Sequence, residues 1–168
     1  MKVGAVPYLN ALPLCRYLPF PVRFETPAVL NQLMLQGELD VALLPSFAYL
    51  KNPSYIPLFE GGIIGSNGPV ESVMLFVRKE TGLESVRSVS LTSDSVTSVA
   101  LLQILYRFKW KLPFPTLKYE QADAFLKIGD AALFHDDPAF RAIDLGEEWT
   151  SWTGLPFIYA LWVSNRPV

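Results

Sequence analysis

The chain has 168 residues, 51% of them hydrophobic, with mean hydropathy +0.27, a formal net charge of −2 and pI near 5.4. That length allows one domain or two small lobes with a real core, and the scattered Lys and Arg residues argue against a nucleic-acid surface. Cys15 is the single cysteine, which excludes an internal disulfide and a thiolate metal cluster. No apolar run is long enough to span a bilayer and Met1-Lys2-Val3 opens no signal peptide, so the cytoplasm is the expected compartment.

The first third alternates strand and helix. Val3 to Val6 reads as a buried strand that stops in a Pro7-Tyr8-Leu9-Asn10 turn, and Ala11 to Tyr17 has helical character. Asn10 is expected at the helix N-cap, where its side chain either caps the helix or turns toward a ligand. Val22 to Glu25 is a strand. Thr26 and Pro27 then supply the N-cap and first position of a helix with apolar Val29, Leu30, Leu33, Met34 and Leu35, ended by Gly37. Asp40 to Leu44 is the next buried strand, and Pro45-Ser46 starts a short helix through Tyr49. This rhythm means a parallel sheet covered by helices. Asn10 and Ser46 then share one structural address, the carboxyl edge of the sheet, where ligand crevices form.

Gly61 to Pro69 is rich in turn formers, and Val70 to Val77 is a strand candidate that crosses between lobes. A second α/β unit follows. Val89 to Leu91 is a strand, and the polar cluster at 92 to 98 enters a helix that runs through Tyr106. Ala122 to Leu126 reads as helical and Ala131 to Phe134 as a buried strand. Arg141 to Leu145 is a strand, Glu147 to Trp152 a helical turn, and Phe157 to Val163 a last apolar strand.

The chemical inventory is sparse. His135 is the only histidine, so a His-based metal site or triad has little to build on; with Asp136 and Asp137 it reads as a solvated turn before Pro138. There is no Walker loop, dinucleotide fingerprint or nucleophile elbow. The cluster of Thr92, Ser93, Asp94, Ser95, Thr97 and Ser98 is denser than one cap requires. Free N–H groups, the positive end of the helix dipole and hydroxyl donors together make an anion site without formal charge. Capping plus turn chemistry is the plain alternative. Trp149, Trp152, Phe157, Tyr159 and Trp162 suit either a core or a ring-stacking surface. The residues thus describe two α/β lobes suited to a carboxylated small molecule, and leave open whether it is turned over or merely held.

Several segments carry a family resemblance that covers nearly the whole chain. Pro7-Tyr8-Leu9-Asn10-Ala11-Leu12-Pro13-Leu14 resembles the N-terminal motif of the chorismate dehydratases of the futalosine route to menaquinone. Residues 37–46, 64–73, 90–102, 128–133 and 144–157 are similar to that family as well. The Tyr-Leu-Asn turn and the run from Gly146-Glu147-Glu148-Trp149 to Gly154-Leu155-Pro156-Phe157 are its specific parts.

The resemblance implies an α/β fold of the two-lobed type II periplasmic-binding-protein kind, with a ligand cleft between lobes. Residues 1–77 and 158–168 would form the first lobe and 78–157 the second. Family members continue past the return strand, so the resemblance also implies a chain shortened at its C-terminus. The implied reaction removes water from chorismate, a dicarboxylate, and leaves an aromatic ring with its enolpyruvyl ether intact. Asn10 is implied as the catalytic residue, hydrogen-bonding the departing hydroxyl or the ring substituents. Thr97 and Ser98 would hold one carboxylate and Ser46 and Ser72 the other, with Tyr8, Asp130 and Tyr159 as further substrate contacts. No matched position is an obvious general base. Asp130 is one candidate, and the substrate's own enolpyruvyl carboxylate, held near the ring proton, is another. No cofactor, metal, nucleic-acid or membrane partner is implied, and the oligomeric state is not readable. The alternatives are the sister dihydroxynaphthoate synthase, which shares the fold; a solute-binding protein, which would need an export signal; and a regulator's effector domain, which would need a DNA-binding headpiece.

Overall fold

The computed structural model describes residues 1–93 and 95–167; Asp94, from the hydroxyl-rich cluster, and Val168 lie outside the described residues. The elements in chain order are β1 (Val3–Ala5), a 3-10 turn (Leu9–Ala11), α1 (Leu12–Cys15), β2 (Val22–Phe24), α2 (Pro27–Leu35), β3 (Val41–Pro45), α3 (Ser46–Lys51), β4 (Ile56–Pro57) and β5 (Ile63–Ser66). They continue with β6 (Val73–Arg78), β7 (Ser88–Ser90), α4 (Val96–Ile104), a π-helical turn (Leu105–Lys109), β8 (Thr116–Leu117), β9 (Ala124–Ile128), α5 (Asp130–Leu133), β10 (Phe140–Asp144), α6 (Leu145–Thr153) and β11 (Phe157–Ser164). Two compact units result, Met1–Gly65 with Ile158–Val168, and Ser66–Phe157.

In the first unit the sheet order is β2-β1-β3-β11-β4, with β5 also paired to β11. β1 runs parallel to β2 and β3, and β11 returns antiparallel to β3, with Ala160 opposite Pro45 and Ser164 opposite Val41. All five residues of β3 are buried, as a strand with neighbours on both edges and cover on both faces requires. The side chain of Thr26 caps α2 by accepting the Val29 N–H at 3.5 Å. Pro27 opens that helix and Gly37, at φ +71°, follows its end. Leu30, Leu33 and Met34 turn the buried face of α2 into the core with Val3, Ala5, Leu39, Leu161 and Val163.

In the second unit the order is β10-β6-β9-β7-β8. β6 is antiparallel to both β10 and β9, and β7 is parallel to β9 and β8. Leu75, Val77, Val89, Ala124, Leu101, Leu102, Leu105 and Leu145 are fully buried. Tyr106, 1% exposed, sets its ring edge-on to Trp110 and Phe114 at 4.9 and 5.4 Å. The π-helical turn is fastened to α6. Lys109 Nζ donates to Glu148 O at 2.7 Å and Ser151 Oγ at 2.8 Å and pairs with Glu148 Oε2 at 2.7 Å, where Trp110 Nε1–H also arrives at 2.9 Å.

Several expectations from the sequence are corrected. Ala122 to Leu126, read as helical, enters the central strand β9, because pairing on both edges overrides the local pattern. Ala131 to Phe134, read as a strand, lies instead in and just after the single helical turn α5, which Gly129 enters at φ +56°; an apolar run this short does not declare its period. Residues 63–66, within the presumed turn region, form β5. The strand expected from Val70 begins only at Val73. It pairs on both sides in the second sheet, so the boundary between units falls at Gly65/Ser66 rather than after residue 77.

Candidate functional site

In the first unit, parallel β1 and β3 end at one edge of the sheet, and β11 starts there. Tyr8 and Asn10 lie just past β1, Ser46 just past β3, and Tyr159 one residue before Ala160, which faces Pro45. Four of the sequence-predicted residues therefore gather at this edge. Asn10 is not an N-cap: Tyr8 caps the 3-10 turn, whose Ala11 N–H donates to Tyr8 O at 3.0 Å, and Ala11 itself stands at the start of α1. Asn10 is the middle residue of that turn and its amide side chain is exposed. The tight turn consumes its capping bond between backbone groups, which leaves the side chain to solvent or a ligand. Ser46 is half-buried at the first position of α3, and Tyr159 is 8% exposed.

The second unit builds its own polar edge. Gly129 N–H donates to Ser72 O at 2.8 Å, so Ser72, before β6, stands beside the exit of β9, and Asp130 follows as the exposed first residue of α5. β7 runs parallel to β9 and leads at that edge into the first turn of α4. There Ser95 is the N-cap: its Oγ accepts the Ser98 N–H at 3.1 Å and lies 2.9 Å from Ser98 Oγ. Thr97 and Ser98 are 2% and 1% exposed. The Ser98 hydroxyl thus serves the cap, and this turn can offer an anion its helix-end dipole more readily than that side chain.

Sequence reasoning passed over Asp144. This carboxylate, 8% exposed, ends β10 and caps α6, its Oδ1 accepting the Gly146 and Glu147 N–H groups at 2.8 and 3.0 Å. Its Oδ2 reaches back to the loop before Ser72 and accepts the Val70 and Glu71 N–H groups at 2.9 and 2.7 Å. Thr150 on α6 adds a second tie by accepting the Gly68 N–H at 3.0 Å. Glu71 sits at φ +61°, a left-handed conformation that costs a residue with a side chain about 1–2 kcal/mol. An aspartate three residues before Glu147, the capping-box spacing, was the available signal; its second oxygen had none.

Asp136 and Asp137 stand in the expected exposed turn, with Asp137 Oδ1 accepting the Ala139 N–H at 2.9 Å, but His135 at its start is turned inward. Its ring stands edge-on to Phe76 at 4.3 Å, half-buried, with Nδ1 2.9 Å from Lys127 Nζ. An ammonium only donates, so Nδ1 is the acceptor of this pair. The basic lone pair of the chain's one histidine is already engaged. Burial pushes the Cys15 thiol above its usual pKa, away from thiolate chemistry. Among the described residues no three His, Cys, Asp or Glu side chains gather as metal ligands. No helix of the described residues is long and apolar enough to cross a membrane. A groove of about 560 Å³ lined by Gln103, Arg107, Lys111 and Phe114 lies at the opposite end of α4 from its polar first turn.

Two α/β units, each with polar side chains at a strand-end edge, define a periplasmic-binding-protein-like fold. Solved structures agree on that fold: a protein from Archaeoglobus fulgidus is 18% identical with a TM-score of 0.69, covering 99% of this chain and 68% of its own. The periplasmic aliphatic sulphonate binding protein SsuA from Escherichia coli is 16% identical with a TM-score of 0.65, covering 99% and 61%. The chain belongs to the menaquinone biosynthesis family, whose model matches residues 1–168. It is 32% identical to the chorismate dehydratase of Thermus thermophilus, over 98% of this chain and 69% of that protein. It is 31% identical to the chorismate dehydratase of Campylobacter jejuni, over 95% and 66%.

Proposed function

We propose that this protein is a chorismate dehydratase, a carbon–oxygen hydro-lyase that converts chorismate to 3-[(1-carboxyvinyl)oxy]benzoate and water on the futalosine route to menaquinone, in the cytoplasm. The observation that carries the reading is the likeness to the Thermus thermophilus dehydratase over 98% of the chain. The motif turn at Tyr8–Asn10 supports it by standing at a strand-end edge with an exposed amide. The non-catalytic reading draws only on fold neighbours under 20% identical.

In this reaction the ring carbon bearing the ether loses its proton and the neighbouring carbon loses its hydroxyl as water. Aromatisation drives the step, so the protein needs to orient the substrate and meet developing charge. Asn10 donates to the departing hydroxyl; a well-placed polar donor in a dry site contributes several kcal/mol. Ser46, Ser72 and the first turn of α4, with Thr97 and Ser98, receive the substrate's two carboxylates, and Tyr8, Asp130 and Tyr159 complete the contacts. The proton goes to the substrate's enolpyruvyl carboxylate, which passes it to the departing hydroxyl so that water leaves. This assignment is supported by the engaged lone pair of His135 and by the exposed position of Asp130 in α5. The test is direct: incubate the protein with chorismate and follow the aromatic product by absorbance and mass. Formation of that product supports the reading; a folded protein that leaves chorismate unchanged overturns it.

A further inference from the structure

We infer that Asp144 is a positioning residue for substrate binding, one carboxylate that couples the start of α6 to the loop presenting Ser72. The inference rests on the proposed role of Ser72. The two oxygens carry unequal shares. Oδ1 takes the Gly146 and Glu147 N–H groups, as an N-cap does, and also lies 3.1 Å from Val70 N. Oδ2 serves the loop, taking Glu71 N–H at 2.7 Å and Val70 N–H at 2.9 Å. A cap alone needs one oxygen. The second holds the residue immediately before Ser72 in a left-handed conformation that Glu71 does not adopt by preference. Backbone held this way is stable only where its surroundings over-determine it. The Ser72 carbonyl in turn fixes Gly129 at the start of the Asp130 turn, so the hold extends from α6 through the loop to the exit of β9.

Asp144→Asn separates the two duties. The amide oxygen can keep the helix cap, while the NH₂ group replaces Oδ2 with a donor that faces the Val70 and Glu71 N–H donors. The full chain is studied by thermal melting, by amide exchange and by turnover of chorismate. The expected result is that amide 71, bonded to Oδ2 alone, exchanges at least tenfold faster while 146 and 147 stay protected. KM rises at least tenfold with kcat changed less. Ser72→Ala added to Asp144→Asn costs little further, because both remove the same interaction. Unchanged exchange at 71, an unchanged KM, or full additivity with Ser72→Ala overturns the inference. A wild-type chain inert toward chorismate sinks the dehydratase reading instead, and the exchange arm still decides whether Asp144 holds the loop.

Discussion

Gly4, in β1, leaves a side chain almost no room, and Gly4→Ala tests how tightly the first unit's core is fitted around that strand. A Cβ on Gly4 would stand 2.6 Å from Leu39 Cδ1 and 2.7 Å from Leu30 Cδ2. Ordinary carbon contacts are about 3.5–4.0 Å, so each methyl must withdraw by about 1 Å. Neither has room, since Leu30 is 0% and Leu39 3% exposed. Overpacking a filled core costs about 1–3 kcal/mol, and replacing a strand glycine recovers about 0.5–1 kcal/mol of chain entropy. The net loss spans about 0–2.5 kcal/mol, centred near 1 kcal/mol. For a unit this small that corresponds to about 4–8 °C per kcal/mol in the melting transition. The assay is thermal and urea unfolding followed by circular dichroism, with Leu39→Val as the compensating partner. The double variant should be more stable than the sum of the two single losses by about 1 kcal/mol. A Gly4→Ala protein that melts at or above wild type, or strict additivity with Leu39→Val, refutes the packing argument.

Asn10→Asp replaces an amide donor with an anion where a dianionic substrate binds; turnover should fall at least about a hundredfold with the melting temperature held, because no cap depends on that side chain. A folded variant with near-normal turnover removes Asn10 from the mechanism. His135→Gln and Asp130→Asn should each keep substantial turnover, whereas losing a general base costs about 10²–10⁴-fold; a loss of that size at unchanged affinity names the base and ends the substrate-assisted route. Asp123 accepts the Arg87 N–H at 3.0 Å, the Ser88 N–H at 2.9 Å and the Ser88 hydroxyl at 3.0 Å, and its pKa lies below the ordinary carboxylate value, chiefly through the bond from the Arg87 backbone. The unfolded chain therefore binds the proton first as pH falls. Stability from this group is complete above the unfolded value of about 3.9 and lost as pH drops through the lower folded value. Melting temperatures between about pH 6 and 2 should fall less steeply for Asp123→Asn; an unchanged slope assigns the acid sensitivity elsewhere.

The elements legible in the sequence were those with redundant local signals. Thr26, Pro27 and Gly37 bracket α2 so fully that its ends were readable to a residue or so, and the alternation from Val3 to Tyr49 identified the parallel strands. Errors fell where tertiary partners decide. Ala122 to Leu126 joins a strand only because β6 and β7 flank it, and α5 is one turn whose period is too short to show. For the site, the motif turns located the strand-end edges. What they did not locate was the support behind them. The second oxygen of Asp144 acts on residues more than seventy positions away, and the bond from Lys127 to His135 depends on α5 folding back along β9. No spacing rule encodes either.

The position of β11 also sets an order of assembly. Ala42 pairs with Val163 at the centre of the first sheet, and everything from Ser66 to Phe157 is synthesised between them. The second unit is continuous in sequence, so it can close on the ribosome without waiting for distant chain. The first unit leaves β3 an uncovered edge until β11 emerges, and it bears the loop-closure entropy of the whole insertion. That open edge of a fully apolar strand is the exposure through which a nascent chain would aggregate. Pulse-labelled amide exchange during refolding should find β6, β9 and β10 protected before β3 and β11; simultaneous protection would mean the two units fold as one.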